Sequence, residues 1–161
     1  MADGGASELV MLVTGLLTAG IVASLLVASW GSLAEIVGDT QTQIQVDSKT
    51  RASLASDPMQ IAWDQATCNL TIHIQNSGEL RLKMDNIGAI VNGTPTSVSG
   101  SQLIGSAIAW TSGEVAEFYL CPTGLNLATG QETPLIIIVQ SEEYSGDISG
   151  KHSFSEVIRI A

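Results

Sequence analysis

A chain of 161 residues with a formal charge of −10 and six scattered Lys and Arg cannot build the basic stripe that tracks a nucleic-acid backbone. Aromatic residues make up 4% of it, so its core must rest on Ile, Val and Leu. Cys68 and Cys121 belong to no Cys-x-x-Cys pair, which removes zinc-ribbon and thioredoxin-like readings. The acidic balance suits a soluble domain facing a cation-rich exterior.

Composition changes sharply along the chain. Leu9 to Ala34 is a run of 26 residues without a charge, and every Lys and Arg lies after position 48. As a helix that run is about 39 Å long against a hydrocarbon core of about 30 Å. It is too long for a secretory signal core, and Asp3 and Glu8 precede it instead of basic residues. We therefore expect it to be retained. Small residues recur in fours, as Gly15, Ala19 and Ala23 on one ridge and Gly20, Ser24, Ala28 and Ser32 on another. That spacing lets helix backbones approach where lipid removes the hydrophobic drive to associate. Trp30 stands near the far end, where an indole suits the lipid–water boundary. Residues 1–8 have no cation, so the positive-inside rule leaves the orientation open.

A polar neck follows, EIVGDTQTQIQVDSKTRASLASDP. Ile36, Val37 and Ile44 continue a helical face, while Gly38 and the threonines weaken it. A frayed extension over 35–55 is expected, stopped at Asp57-Pro58.

The period then changes from helical to alternating. Leu70 to Gln75 alternates apolar and polar residues, Asn76-Ser77-Gly78 turns, and Leu80 to Met84 alternates again. Ile87 to Val91 leads into Asn92-Gly93, a strong hairpin signal. Further strands fit Gln102–Trp110, Val115–Cys121, Leu135–Gln140 and Ser153–Ile160. The unbroken apolar run Leu135 to Val139 marks a central strand. Seven or eight short strands divided by Gly, Asn and Pro turns predict an antiparallel β-sandwich. If this domain lies outside the cytoplasm, Cys68 and Cys121 could bridge strands of opposing sheets; two buried free thiols are the alternative. Asn69-Leu70-Thr71 and Asn92-Gly93-Thr94 are acceptors for N-glycosylation, with Pro95 hindering the second. Together with the cysteines they favour an outward β-domain.

Chemistry is sparse. His73 falls on the polar side of an alternating strand and reads as a solvated residue. Gly146 to His152 has the glycines and lysine of a phosphate loop at the wrong spacing, with no Ser or Thr after Lys151. Glu142, Glu143 and Asp147 could offer oxygen ligands to calcium, although a solvated loop explains them as well. No Gly-x-Ser-x-Gly elbow is present. Neither an enzyme nor a cofactor is implied.

The segment MADGGASELVMLVTGLLTAGIVASLLVASWGSLAEIVGDTQTQI, followed by VDSKTRASLASDPMQIAW, resembles the archaeal flagellar protein G family. The motif match covers residues 6–63, and archaellins and archaeal type IV pilins share its helix-plus-sandwich plan. The resemblance implies a mainly β fold: a helix at 1–34 as membrane anchor or filament core, a neck at 35–58, and an extracellular β-sandwich at 59–161. It further implies a stationary, non-enzymatic part of the archaellum that self-associates and braces the motor with protein F against the surface layer. Pilin-type leaders place Lys or Arg before the cleavage-site glycine. Here Gly4 and Gly5 lack them, which favours an uncleaved protein over a processed filament subunit.

Overall fold

The computed structural model describes residues 4–144 and 148–161. The chain divides into two compact units, Met1–Thr42 and Gln43–Ala161. Helix α1, Gly4–Lys49, supplies the first unit and enters the second with its last two turns. At 46 residues it is about 69 Å long. The expected fraying at Gly38 does not occur, and the helix stops at Lys49, well before Pro58.

The reason lies in contacts that sequence neighbours do not make. Within the second unit the Gln43 amide donates to the Ser149 carbonyl at 3.1 Å, and Asp47 Oδ1 accepts the Lys151 N–H at 2.9 Å. The orphan carbonyl of Lys49 accepts from the backbone N–H of Glu79 at 2.9 Å and of Leu80 at 3.3 Å. The last two bonds satisfy a Lys49 carbonyl that would otherwise turn to water, and the first two fasten the final turns of the helix to the segment entering β8. Gly78 and Gly150 make the fit: a Cβ on Gly78 would stand 2.4 Å from the Lys49 carbonyl oxygen, and one on Gly150 2.1 Å from Thr50 Oγ1.

Eight strands follow: β1 Ala52–Leu54, β2 Trp63–Asp64, β3 Asn69–Asn76, β4 Gly88–Val91, β5 Thr94–Leu103, β6 Val115–Cys121, β7 Glu132–Gln140 and β8 Lys151–Arg159. They pair antiparallel in the order β1-β3-β6-β5-β4-β7-β8, with β2 also on β3. The predicted antiparallel β-domain behind a long apolar helix is therefore present. Its two layers are halves of one sheet that bends at β5. Thr94 to Thr96 pairs with β4, whereas Ser97 to Leu103 pairs with β6 across a register shift between Val98 and Gly100. Such bulges sharpen local twist and let a strand turn a corner.

Alternation decides which side chains meet in the core. Leu70, Ile72 and Ile74 of β3, Phe118 and Leu120 of β6, and Leu135, Ile137 and Val139 of β7 are fully buried in one cluster. Trp110 joins them, its ring centroid 5.2 Å from that of Phe118. The open margins are drawn together where Ile61 pairs in parallel with Ile160 and donates its N–H to the Arg159 carbonyl at 3.0 Å.

Three strand expectations change. Leu80 to Met84 forms no strand; Leu82 alone bridges to Trp110 and Ser141, because the segment must first cap the helix. The segment predicted over Gln102–Trp110 is strand only as far as Leu103, and the true strand begins at Thr94. Asn76, expected as a turn residue, is fully buried and ends β3. Its amide donates to the Leu80 and Trp110 carbonyls at 2.8 and 2.9 Å and accepts from the Gly78 N–H at 3.0 Å. The Asn92-Gly93 hairpin is as expected: both residues have positive φ, 50° and 76°, the requirement of a type I′ turn.

Candidate assembly surface

Among the described residues of the first unit the apolar side chains of the helix lie uncovered. Leu12, Leu16, Leu17, Ile21, Leu25 and Val27 are all exposed, as is Trp30 at 71%. The apolar positions occupy every side of the helix, so it has no stripe to lay on a partner and no polar side to give to water. A helix apolar all round belongs in a membrane or in the core of an assembly. By length and composition α1 can cross a bilayer.

The hydroxyls within this stretch leave no polar group that such an environment would strand. Thr14 donates to the Val10 carbonyl at 2.5 Å, Thr18 to Thr14 at 2.9 Å, Ser24 to Ile21 at 2.8 Å, Ser29 to Leu25 at 2.9 Å and Ser32 to Ser29 at 2.9 Å. Each polar group is satisfied inside its own helix, as an apolar medium demands. On the small-residue ridges, a Cβ added at Gly15 or Gly20 meets nothing within 4 Å. Gly15, Ala19 and Ala23, with Gly20, Ser24 and Ala28, are thus open troughs along the helix.

In the second unit Cys68 and Cys121 are joined by a disulfide, with their Cα atoms 5.0 Å apart. The bond differs from the expected bridge between opposing sheets. Cys68 lies in the turn entering β3 and Cys121 ends its neighbour β6, so the link closes the margin of one layer. Asp64 shapes that turn by accepting from the Ala66 N–H at 2.9 Å and the Thr67 hydroxyl at 2.7 Å. Chiefly the Thr67 bond, then that from Ala66, holds the Asp64 carboxyl below the usual range. The two glycosylation acceptors are unlike. Asn92 is exposed at the tip between β4 and β5, whereas Asn69 is half-buried and its Oδ1 accepts from Ser99 Oγ at 3.3 Å.

His73 lies on the outer face of β3 in a polar row that sequence reading did not assemble. Ser56 Oγ is 3.1 Å from its Nδ1, and Glu117 Oε1 is 3.6 Å from its Nε2. Gln102 and the Tyr119 hydroxyl both donate to Glu117. The bond from Gln102, then that from Tyr119, lowers the Glu117 carboxyl below its ordinary value. Ser, His and a carboxylate in a row invite comparison with a nucleophilic triad. Here Ser56 Oγ already accepts the His73 backbone N–H at 2.7 Å, and the row lies along an open sheet face. It fastens the segment after β1 to β3. Only register could have revealed this, since His73↔Glu117 and Gln102↔Glu117 are cross-strand neighbours.

The two calcium-candidate carboxylates face cations instead: Glu142 lies 3.5 Å from Arg81 and Glu143 3.7 Å from Lys83. Asp147, the third member, and Gly146 of the loop with phosphate-loop glycines lie outside the described residues. Among the described residues no three acidic, His or Cys side chains gather as a metal site.

No protein-family model matches the sequence, and no curated protein matches it. Among solved structures it is similar to the CooA pilin subunit from enterotoxigenic Escherichia coli, with 10% identity and a TM-score of 0.28 over 68% of this chain and 98% of that one. A superposition at that score decides neither fold nor function.

Proposed function

We propose that the chain is a non-enzymatic structural subunit that is anchored and self-associates through α1 and presents its β-unit outside the membrane. One observation carries this reading: the uncharged run Leu9 to Ala34 is bare on every side, and only lipid or other apolar helices can cover it. The open troughs at Gly15, Ala19 and Ala23 and at Gly20, Ser24 and Ala28 favour sister helices as part of that cover. The resemblance of residues 6–63 to the archaeal flagellar protein G family supports a place in the archaellum, with other archaellum proteins and the surface layer as partners. On this reading the disulfide and the acceptors Asn69 and Asn92 belong to the oxidising, translocated side.

The runner-up role is a bulk filament subunit, an archaellin or archaeal type IV pilin with α1 in the filament core. Cell fractionation with N-terminal sequencing of the native protein separates the two. A motor-associated anchor stays with membranes and keeps its start, apart from the initiator Met. A start at Gly5 or Ala6 in protein recovered from sheared surface fibres would transfer the assignment to the filament subunit. A freely soluble monomer would overturn both.

A further inference from the structure

An antiparallel sheet with one side on the core is expected to turn polar residues outward on the other. The layer containing β3 and β6 obeys, with Thr71, His73, Gln75, Glu117 and Tyr119 on its outer face. The layer containing β4, β7 and β8 does not. Register aligns Gly88, Ile138 and Ser153 in one outward row and Ile90, Ile136 and Ser155 in the next. Pro134 and Val157 form a third, and Pro95 extends the second beside Ile90. Ile136 is 36% exposed, Ile138 39% and Val157 58%.

We propose that this face docks on the same face of a second copy of the chain, within the assembly held by α1; the inference rests on the self-association proposed above. Three features select a second copy. Relief is the first: Ile138 stands between two small residues, Gly88 and Ser153, and sheet faces pack by interdigitating large side chains with small ones about 10 Å apart.

Charge is the second. Glu132 and Arg159 face one another at one end of β7 and β8, and Gln140 and Lys151 at the other. A two-fold axis along the strands, between β7 and β8, lays Glu132 over Arg159 of the second copy; one across them lays Glu132 over Gln140 and Arg159 over Lys151, base against base. Charge therefore selects the axis along the strands, the arrangement that turns the acid towards a base.

Size is the third. A few outward aliphatics and prolines fall short of the roughly 1,200 Å² that a stable complex buries. The face is therefore too small to pair freely diffusing molecules. Copies already held by their helices meet at a high effective concentration, which is where so small a patch can act.

The test uses the full chain in nanodiscs, made with two distinguishable tags and carrying the photo-crosslinker p-benzoylphenylalanine at Ile138 or, as control, at Gln75. Co-purification of the tags reads the assembly, and illumination reads the face. The expected result is co-purification with both probes and an adduct between two copies at least fivefold more abundant from Ile138. Co-purification with equal adducts from both positions, or with only lipid adducts from Ile138, would overturn the face and leave the assembly standing. Loss of co-purification in the unmodified chain would instead remove the assembly, and the face with it. Ile138→Ser, checked for an intact Cys68–Cys121 bond, should lower the yield of a probe placed at Ile136 severalfold; an unchanged yield also counts against the face.

Discussion

Two regions of this molecule are built from the same aliphatic side chains and use them oppositely. In the β-unit Ile72, Phe118, Leu120 and Ile137 find partners within the chain and are fully buried. Along α1, Leu16, Leu17, Ile21 and Leu25 find none and stand exposed. Hydropathy alone does not separate these fates; period does. Alternation gives a strand one apolar side that a second layer can cover, whereas an unbroken run gives a helix no side to spare for water. The first region answers to stability and the second to its surroundings.

The largest effect expected from breaking that division is in the helix. Leu17→Arg with Ile21→Arg puts two cations near the middle of the uncharged run, at about 3 kcal/mol each in a bilayer centre. Carbonate extraction of membranes should release the double variant while the parent stays in the pellet, and the thermal midpoint of the β-unit should not move. Release of the parent too would mean that the run needs no apolar cover.

Next is the disulfide, which belongs to the β-unit alone. Closing a loop between residues 53 apart stabilises by about 4 kcal/mol in the chain-entropy model, and commonly by less in practice. Cys68→Ser with Cys121→Ser should lower the midpoint of the sheet signal by about 10 °C and leave membrane retention unchanged.

Glycine sharpens the comparison further, because the same residue does opposite work in the two regions. Gly78→Ala forces a methyl to within 2.4 Å of one backbone oxygen and 2.5 Å of a backbone nitrogen. Backbone atoms cannot rotate away, so a loss of about 1–3 kcal/mol is expected from calorimetry or thermal circular dichroism. Gly20→Leu meets nothing in its own chain. It should leave that midpoint untouched and instead weaken co-purification of two tagged copies.

The limits of sequence reading fall along the same division. The uncharged run and strands β3, β6 and β7 were legible because local pattern and final environment agree. The continuation of α1 to Lys49 was not, because Gly38 and the threonines speak locally against it while Ser149, Lys151 and the backbone of Glu79 hold it from afar. Strand β5 carries almost no alternation in TPTSVSGSQL; its place comes from the Asn92-Gly93 turn before it and the bend it must make. For the candidate surfaces, the small-residue spacing was readable from sequence. The outward isoleucines were not: Leu135 to Val139 reads from its unbroken apolar run as a central strand, and only the register of β4, β7 and β8 shows which half of it faces out.

The smallest expected effect concerns pH. Leu9 to Ala34 holds no titratable side chain, whereas the outer face of β3 and β6 holds Glu117, whose carboxyl the bonds from Gln102 and Tyr119 keep below its ordinary value. A carboxyl with a native pKa below its unfolded value, about 4.3, adds stability above that value. It gives the contribution up as pH falls through the native pKa. Acid should therefore loosen the β-unit while the helical signal of the uncharged run stays constant. Glu117→Gln keeps the shape but accepts no proton; it should cost little at pH 7 and flatten part of the loss of sheet stability below about pH 4.5. Because Glu117 is near the surface, solvent screening keeps the change small, so it should be read as a difference in slope between parent and variant in an acid titration followed by circular dichroism. Parallel slopes would show that the Gln102 and Tyr119 bonds do not favour the ionised form.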